Sequence, residues 1–264
     1  MKNRSMGGIA KHRWGSCLLC SGFLIAAAAM LHWRTQAAVV PANTDISHYI
    51  VMRTLGPIKV DGVFDEPSWQ AAKSTGAFRA NDGSETATSR VEAKMLWDDS
   101  NLYFAFECDD TDLAATMTKR DEHLWQEEVV EIFIDPDGDE KNYIELEVNP
   151  LGAFIDLFVL TPVVPIPYES YNIPAKWAVK VEGTVQNSAD RDRGWNVELS
   201  VPLKEAVTAP NRPPKDGDKW RLNLYRIERK PKEQYIAWSP TLKPSFHTPS
   251  RFGEVTFSTR KAGE

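Results

Sequence analysis

The chain has 264 residues, of which 42% are hydrophobic and 26% charged, which is typical of a globular protein with a buried core. The formal net charge of -6 is modest, and acidic and basic residues are interspersed along the chain. This charge pattern argues against nucleic acid as a partner, because a polyanion selects clustered basic residues.

The first 38 residues have the order of an export signal. Basic residues lie within positions 2–13, an apolar stretch covers 17–31, and small residues follow at 37–38. The competing interpretation is an uncleaved membrane anchor, although the apolar stretch is shorter than the roughly 20 residues of a spanning helix. We expect an exported protein, whether periplasmic, cell-surface or extracellular, that meets a membrane only through this segment if it is not cleaved.

Cysteine usage gives no site. Cys17 and Cys20 lie in the export segment, so Cys108 is alone in the rest of the chain and cannot form an internal disulfide there. Cys108 alternates with apolar residues and is expected to be a small buried hydrophobe.

Beyond residue 50, the apolar residues recur at every second position, which predicts half-buried strands. The predicted strands cover 90–96, 102–108, 129–135, 143–149, 153–159, 178–185, 195–201, 220–227, 235–238 and 253–258. Many short strands with polar connections are typical of an all-β, antiparallel β-sandwich of jelly-roll type. We assign 39–54 to an N-terminal extension and 55–260 to a single β domain.

Two segments depart from the strand pattern. Residues 66–73 and a turn near Lys204 look helical, whereas four prolines between 161 and 175 predict a long loop. Asp61, Gly62 and Trp69 are expected to form a structural turn and helix anchor at the start of the domain.

Motifs for nucleophilic, phosphate or zinc chemistry are absent from the sequence. Outside the export segment the histidines are His48, His123 and His247. Carboxylates are plentiful, and a pair of them could hydrolyse a glycoside, but the sequence does not fix the separation that this reaction requires.

The stretch 119–137 is the most informative one. Trp125 comes just before a strand on which Val130, Ile132 and Ile134 point inward, which leaves Glu131 on the other face. A poorly solvated carboxylate needs partners. These are either an arginine, Arg120 or Arg226, or the hydroxyl groups of a sugar that stacks on the indole.

Eight segments in order resemble the family 9 carbohydrate-binding modules. They lie at 58–69, 96–104, 125–135, 143–152, 195–202, 220–228, 238–240 and 246–257. The resemblance implies a β-sandwich that clamps a mono- or oligosaccharide between two aromatic rings, with structural calcium in some members. Trp125 matches the first clamp residue and Glu131 the hydroxyl-binding glutamate. Phe246 falls where the best-known members have the second clamp tryptophan, and Glu147 falls where they have a basic residue.

These observations together predict noncatalytic carbohydrate binding by a monomer that requires no cofactor. The predicted sugar contacts are Trp125, Glu131, Glu147, Asn149, Arg226, Phe246 and His247. Asp135, Asp137 and Asp139 crowd one turn, which is either a calcium site or a solvated turn.

Two other functions stay open at this point. A b-type haem domain for electron transfer could draw axial ligands from Met95, Met117 and either His123 or His247. The other alternative is a glycan-active hydrolase.

Overall fold

The computed structural model describes residues 45–84, 87–162, 167–168 and 170–264. The predicted export segment, 1–38, lies outside the described residues. Among the residues that are described, no helix is long and apolar enough to cross a membrane.

The described part of the chain is all-β, with one short α-helix and three single-turn 3₁₀ helices. The strands are β1 (His48–Arg53), β2 (Arg79–Ala80), β3 (Val91–Trp97), β4 (Asn101–Asp109), β5 (Val129–Asp135), β6 (Tyr143–Val148), β7 (Phe154–Val159), β8 (Pro167–Tyr168), β9 (Lys176–Glu182), β10 (Gly194–Pro202), β11 (Lys219–Glu228), β12 (Gln234–Ala237) and β13 (Gly253–Lys261). The helix α1 covers Pro67–Ala71, and the 3₁₀ helices cover Leu124–Gln126, Leu203–Glu205 and Pro249–Arg251.

The strands hydrogen-bond in the order β8-β7-β6-β5-β11-β13-β1-β3-β4-β10-β9, with β12 and β2 branching from β11. The pairings are antiparallel except at β1, which runs parallel to both β13 and β3. The predicted extension, 39–54, is therefore incorrect for its last residues, because His48–Arg53 is an integral strand. Its backbone joins the two halves of the sheet.

The main hydrophobic core draws on both halves of this curled sheet. Val130 and Ile132 of β5 belong to the same cluster as Phe104 of β4 and Val197 of β10. The two-residue periodicity predicted these inward positions, and each apolar side chain buried this way contributes roughly 1.5–3 kcal/mol. Three tryptophans are also buried in this core: Trp195, Trp220 and Trp238.

A second hydrophobic cluster covers the opposite face of β5, β6, β7 and β11. Phe133, Tyr143, Leu157 and Tyr225 are buried in it. These strands are therefore apolar on both faces, and the outer face is the one that carries the candidate site.

The N-terminal turn is anchored as predicted, on a buried glutamate that the sequence did not single out. The Trp69 indole N–H donates to Glu198 at 2.8 Å, and the backbone N–H groups of Asp61 and Gly62 donate to the other Glu198 oxygen. Gly62 has a φ of +79°, and a Cβ there would press on the backbone of Lys180 at 3.2 Å. The helix that follows is shorter than predicted, because it ends at Ala71.

Two other boundaries differ from the sequence prediction. The strand expected at 178–185 is β9 at 176–182, and the expected loop at 161–175 contains the two-residue strand β8 paired with β7. Cys108 is buried, and burial raises the pKa of its thiol to about 12, so it behaves as a hydrophobe.

Candidate functional site

A pocket of about 510 Å³ opens on the outer face of β5, β6, β7 and β11. Its walls combine aromatic rings with a small number of charged groups, which is the usual composition of a small-molecule site. The lining residues are Trp125, Gln126, Glu131, Phe133, Glu145, Leu157, Val159, Ile227, Arg229, Tyr235, Pro244, Phe246 and His247.

Trp125 forms one wall of the pocket. It lies on the 3₁₀ turn just before β5 and is half-buried. The His123 ring stacks on the indole at 4.3 Å between centroids, and Arg229 donates to the Trp125 carbonyl at 2.7 Å. The ring is therefore held in place while part of it stays open to a ligand.

Phe246 also lines the pocket and is more enclosed, with 8% of its surface exposed. Its ring stacks on Tyr225 at 4.1 Å and 13°, and the Tyr225 hydroxyl donates to the Phe246 carbonyl at 3.0 Å. Tyr235 meets Phe246 edge-on at 6.0 Å and is 43% exposed. Tyr235 thus adds an accessible aromatic surface that the sequence did not reveal.

His247 lies beside these rings as a neutral donor or acceptor. Its Nδ1 forms a hydrogen bond of 2.7 Å with the Tyr143 hydroxyl, and its Nε2 lies 4.0 Å from a Glu145 oxygen. Burial lowers the pKa of His247 to about 4, so the imidazole is uncharged at neutral pH.

Three glutamates meet at the floor of the pocket. Glu131 of β5 is directly opposite Glu147 of β6 in the antiparallel register, and Glu145 lies two residues before Glu147 on the same face. One oxygen from each carboxylate lies within 4.8 Å of the other two. All three are buried, and Glu131 and Glu145 line the pocket directly.

Burial and mutual repulsion make these glutamates weak acids. Burial is the main cause that raises the pKa of Glu131 and Glu147 well above the ordinary value, and the neighbouring carboxylates raise both further. Burial raises the pKa of Glu145 to about 7. Arg229 lowers the pKa of Glu131 by less than burial raises it, so the cluster holds protons near neutral pH.

Asn149 has a structural role instead of a place in the pocket. Its amide donates to the Met117 carbonyl at 2.8 Å and to Glu127 at 2.7 Å. Its oxygen accepts the backbone N–H groups of Leu151 and Ala153. These bonds fix the turn after β6 and leave the side chain fully buried.

Arg226 does not belong to the pocket, contrary to the sequence prediction. The alternation of β11 turns it to the inner face, where it donates to Asp110 at 2.5 Å and to the Asp109 carbonyl at 2.7 Å. Both ends of the Arg226–Asp110 pair are fully buried. Arg226 is thus an internal counter-ion and cannot reach a ligand on the outer face.

Arg120 is not the partner of Glu131 either, because its guanidinium pairs with Asp156 and its side-chain Nε donates to Asn172. The sequence left two partners for Glu131 open, an arginine or the hydroxyl groups of a sugar. Neither of the two arginines considered binds the Glu131 carboxylate.

The predicted calcium turn brings Asp135, Asp137 and Asp139 together, with one oxygen of each within 4.8 Å of the others. Asp135 is buried and accepts the backbone N–H groups of Gly138 and Glu140 at 3.0 Å each. Burial raises the pKa of Asp135 to about 7. The carboxylates fit a hard cation, although the turn is also held by its own backbone hydrogen bonds.

The predicted sugar contacts left out Glu145, Arg229 and Tyr235, which line the pocket. The strand period does place Glu145 on the same outward face of β6 as Glu147. Arg229 and Tyr235 flank the turn between β11 and β12, and only the fold brings that turn over β5.

Of the possible haem ligands, Met95 lies in the main core. His247 lines the pocket on the outer face, whereas Met117 packs against the second cluster. Met95 and His247 are therefore on different sides of the sheet and cannot bind one haem together.

Comparison with known proteins assigns the chain to a family. Residues 60–260 match the family model described as carbohydrate family 9 binding domain-like. No curated protein matches the sequence.

Solved structures share this fold. A family 9 carbohydrate-binding module from Caldicellulosiruptor kristjanssonii, solved with cellotriose, is 17% identical over 81% of this chain and 95% of that one, with a TM-score of 0.59. The same type of module solved with glucose is 17% identical over 80% and 97%, with a TM-score of 0.56. A protein of Bacteroides uniformis described as a putative carbohydrate-binding protein is 16% identical over 81% of this chain and 100% of that one, with a TM-score of 0.65. The resemblance predicted from eight sequence segments is confirmed, and the chain belongs to the carbohydrate family 9 binding domain-like family.

Proposed function

We propose that this protein binds a mono- or oligosaccharide noncatalytically in the pocket of Trp125 and Phe246. The observation that carries the proposal is a partly exposed indole in a pocket that also presents carboxylates. The flat ring accepts the apolar C–H face of a pyranose, and the carboxylates accept its hydroxyl protons. Structures of the same family contain cellotriose or glucose, which supports this class of ligand.

The proposed contacts are divided by chemistry. Trp125, Tyr235 and Phe246 supply stacking surface, Glu131 and Glu145 accept hydrogen bonds from hydroxyls, and Arg229 or His247 can donate to ring or hydroxyl oxygens. Glu147 is buried opposite Glu131 and does not line the pocket. Affinity should be modest, because a neutral sugar forms few charge-assisted hydrogen bonds.

The arrangement of the carboxylates favours binding over hydrolysis. Glycoside hydrolysis uses two carboxyl groups that flank the scissile bond. Glu131, Glu145 and Glu147 instead lie side by side on two neighbouring strands, at one floor of the pocket. This arrangement therefore supports sugar binding without catalysis.

The proposal extends to four features of the whole protein: its architecture, its export, its oligomeric state and a structural metal. The two halves of the curled sheet would form a β-sandwich of jelly-roll type, and the chain would be exported as a monomer. A structural calcium ion would bind at Asp135, Asp137 and Asp139 and stabilise their turn, without being required for folding. Calcium-dependent protection of the Asp135 turn against thermal unfolding, lost in Asp139→Asn, would test that site.

The experiment is a glycan-binding screen with wild type and Trp125→Ala side by side. Loss of stacking should weaken every positive glycan by about tenfold or more, equivalent to about 1.4 kcal/mol. Trp177→Ala is a matched control, since Trp177 is also half-buried but stacks on Phe154 outside the pocket. Equal binding by Trp125→Ala and wild type would refute the site.

The same purified protein can be checked for haem and for turnover. A Soret band would support the electron-transfer alternative, and release of reducing sugar from a substrate panel would contradict the noncatalytic function.

A further inference from the structure

Three oxygens of the glutamate cluster are buried without a hydrogen bond of good geometry among the described residues: both oxygens of Glu147 and one of Glu131. The Glu145 carboxyl and the Trp125 backbone N–H interact with Glu147 without satisfying this geometry. Glu147 is fully buried and Glu131 is 2% exposed. Water therefore has little access to the oxygens that protein donors leave unsatisfied.

The positive groups near the cluster form their hydrogen bonds with other residues. Arg229 attracts Glu131 electrostatically, but its two terminal nitrogens bind Glu233, the Tyr235 hydroxyl and the Trp125 carbonyl, and its Nε has no hydrogen-bond partner in the described part of the chain. Arg226 is on the opposite face of the sheet. The His247 Nδ1 is bonded to a tyrosine, and its Nε2 lies 4.0 Å from Glu145.

A buried carboxylate without a partner is costly, and three of them together repel one another. A multivalent cation would remove both penalties. Three oxygens no more than 4.8 Å apart have a common point about 2.8 Å or less from each, so a small inward shift brings all three to the 2.3–2.6 Å of a calcium–oxygen bond. Carboxylate oxygens are the ligands that Ca²⁺ and Mn²⁺ prefer.

We propose that Glu131, Glu145 and Glu147 bind one oxygen-preferring divalent cation at the floor of the pocket, and that hydroxyl groups of the sugar complete its coordination. The second half of this proposal rests on the proposed function. Glu131 and Glu145 line the pocket, so an ion bound to them faces the ligand. This site is separate from the Asp135 turn.

An ammonium group of a ligand fits the cluster less well than an ion. Glu147 does not line the pocket and is fully buried, so a ligand amine in the pocket would meet only Glu131 and Glu145. A dehydrated ion is small enough to meet all three. Tight binding of amino sugars that persists in chelator and depends on Glu147 would therefore overturn the proposal.

The first experiment is titration of chelator-stripped protein with CaCl₂ and, separately, MnCl₂ at pH 7.5. Binding is followed by calorimetry for both ions, and the spectrum of bound Mn²⁺ by electron paramagnetic resonance. Wild type should show a binding event that Glu147→Gln weakens by tenfold or more. Asp139→Asn is the matched control, because it alters the other carboxylate cluster and should retain the event.

Glutamine has the shape of glutamate without its charge, so Glu147→Gln should fold, and circular dichroism checks that it does. Glu145→Gln serves as a second variant if it does not, with the same expected loss. The proposal is overturned if wild type binds neither ion, or if the glutamine variants bind as tightly as wild type.

The second experiment measures a positive glycan in CaCl₂ or MnCl₂ and in chelator. Wild type should bind the glycan at least tenfold more weakly in chelator than in the metal buffer. The Glu147→Gln variant should bind the glycan weakly in both buffers. Equal glycan binding in both buffers would overturn the bridging role while the proposed function stands. If no glycan binds in either buffer, the proposed function is refuted. The metal titration would still test the cation site by itself.

Discussion

Glu131 and Glu147 face each other directly across β5 and β6, with both side chains almost wholly buried. Like charges in this cross-strand position destabilise a sheet. The strands nevertheless pack at both faces with apolar side chains, so the fold tolerates the pair at a cost in stability. Binding a cation or retaining protons would relieve the repulsion between these two carboxylates.

The stability of the metal-free protein should fall as pH rises above neutral. The glutamates have folded-state pKa values above their ordinary value of 4.5, so the folded protein holds protons that the unfolded chain has lost. Stability is then fully present below pH 4.5 for these groups and is lost as pH rises through their folded pKa, which is about 7 for Glu145. His247 has the opposite effect, but only between pH 6.5 and about 4.

Urea unfolding in chelator between pH 6.5 and 8.5 avoids the titration of His247 and reports on carboxyl groups with a raised pKa, which include Glu128 with a pKa of about 8. We expect the free energy of unfolding to fall with a slope of up to about 1.4 kcal/mol per pH unit for each proton held. A free energy that stays constant or rises over this range would contradict the prediction.

Glu147→Gln should stabilise the metal-free protein at pH 8. The change removes one buried carboxylate and supplies an amide that can donate to Glu131, so we expect a gain of about 1–3 kcal/mol. Urea unfolding in chelator measures it, with Glu107→Gln as the control because Glu107 is exposed on β4. Loss of stability in Glu147→Gln, with none in the control, would show that the carboxylate is satisfied in the native state.

Arg226→Met should destabilise the fold without changing the pocket. The substitution leaves Asp110 buried without its counter-ion, which costs roughly 3–5 kcal/mol. The double variant Arg226→Met/Asp110→Asn should recover part of that loss in urea unfolding. Either folded variant should bind the glycan with the affinity of wild type. A loss of affinity without a loss of stability would show that Arg226 contributes to the ligand site.

Phe246→Leu should weaken sugar binding while conserving most of the buried volume. Aromatic stacking contributes about 0.5–1.5 kcal/mol beyond burial, so the dissociation constant should rise about two- to tenfold. Phe158→Leu is a matched control, since Phe158 packs against Tyr171 and the main core. Isothermal titration with the same glycan compares the two, and equal affinities would remove Phe246 from the site.

The amino-acid sequence by itself determined the strands and the family. Period two on β5 and β6 assigned Val130 and Ile132 to the core and Glu131 to the other face, because alternation depends only on local backbone geometry. The position of Trp125 just before β5 also follows from the sequence.

Only the tertiary structure decided which polar residues meet. Arg226 and Glu131 lie on adjacent strands, yet one step of register places Arg226 on the inner face with Asp110. Tyr235 and Arg229 line the pocket because β12 pairs with β11. The periodicity of the sequence does not indicate which strands pair. Pairing between strands distant in sequence sets which carboxylates share a site, and the glutamate cluster exists for that reason.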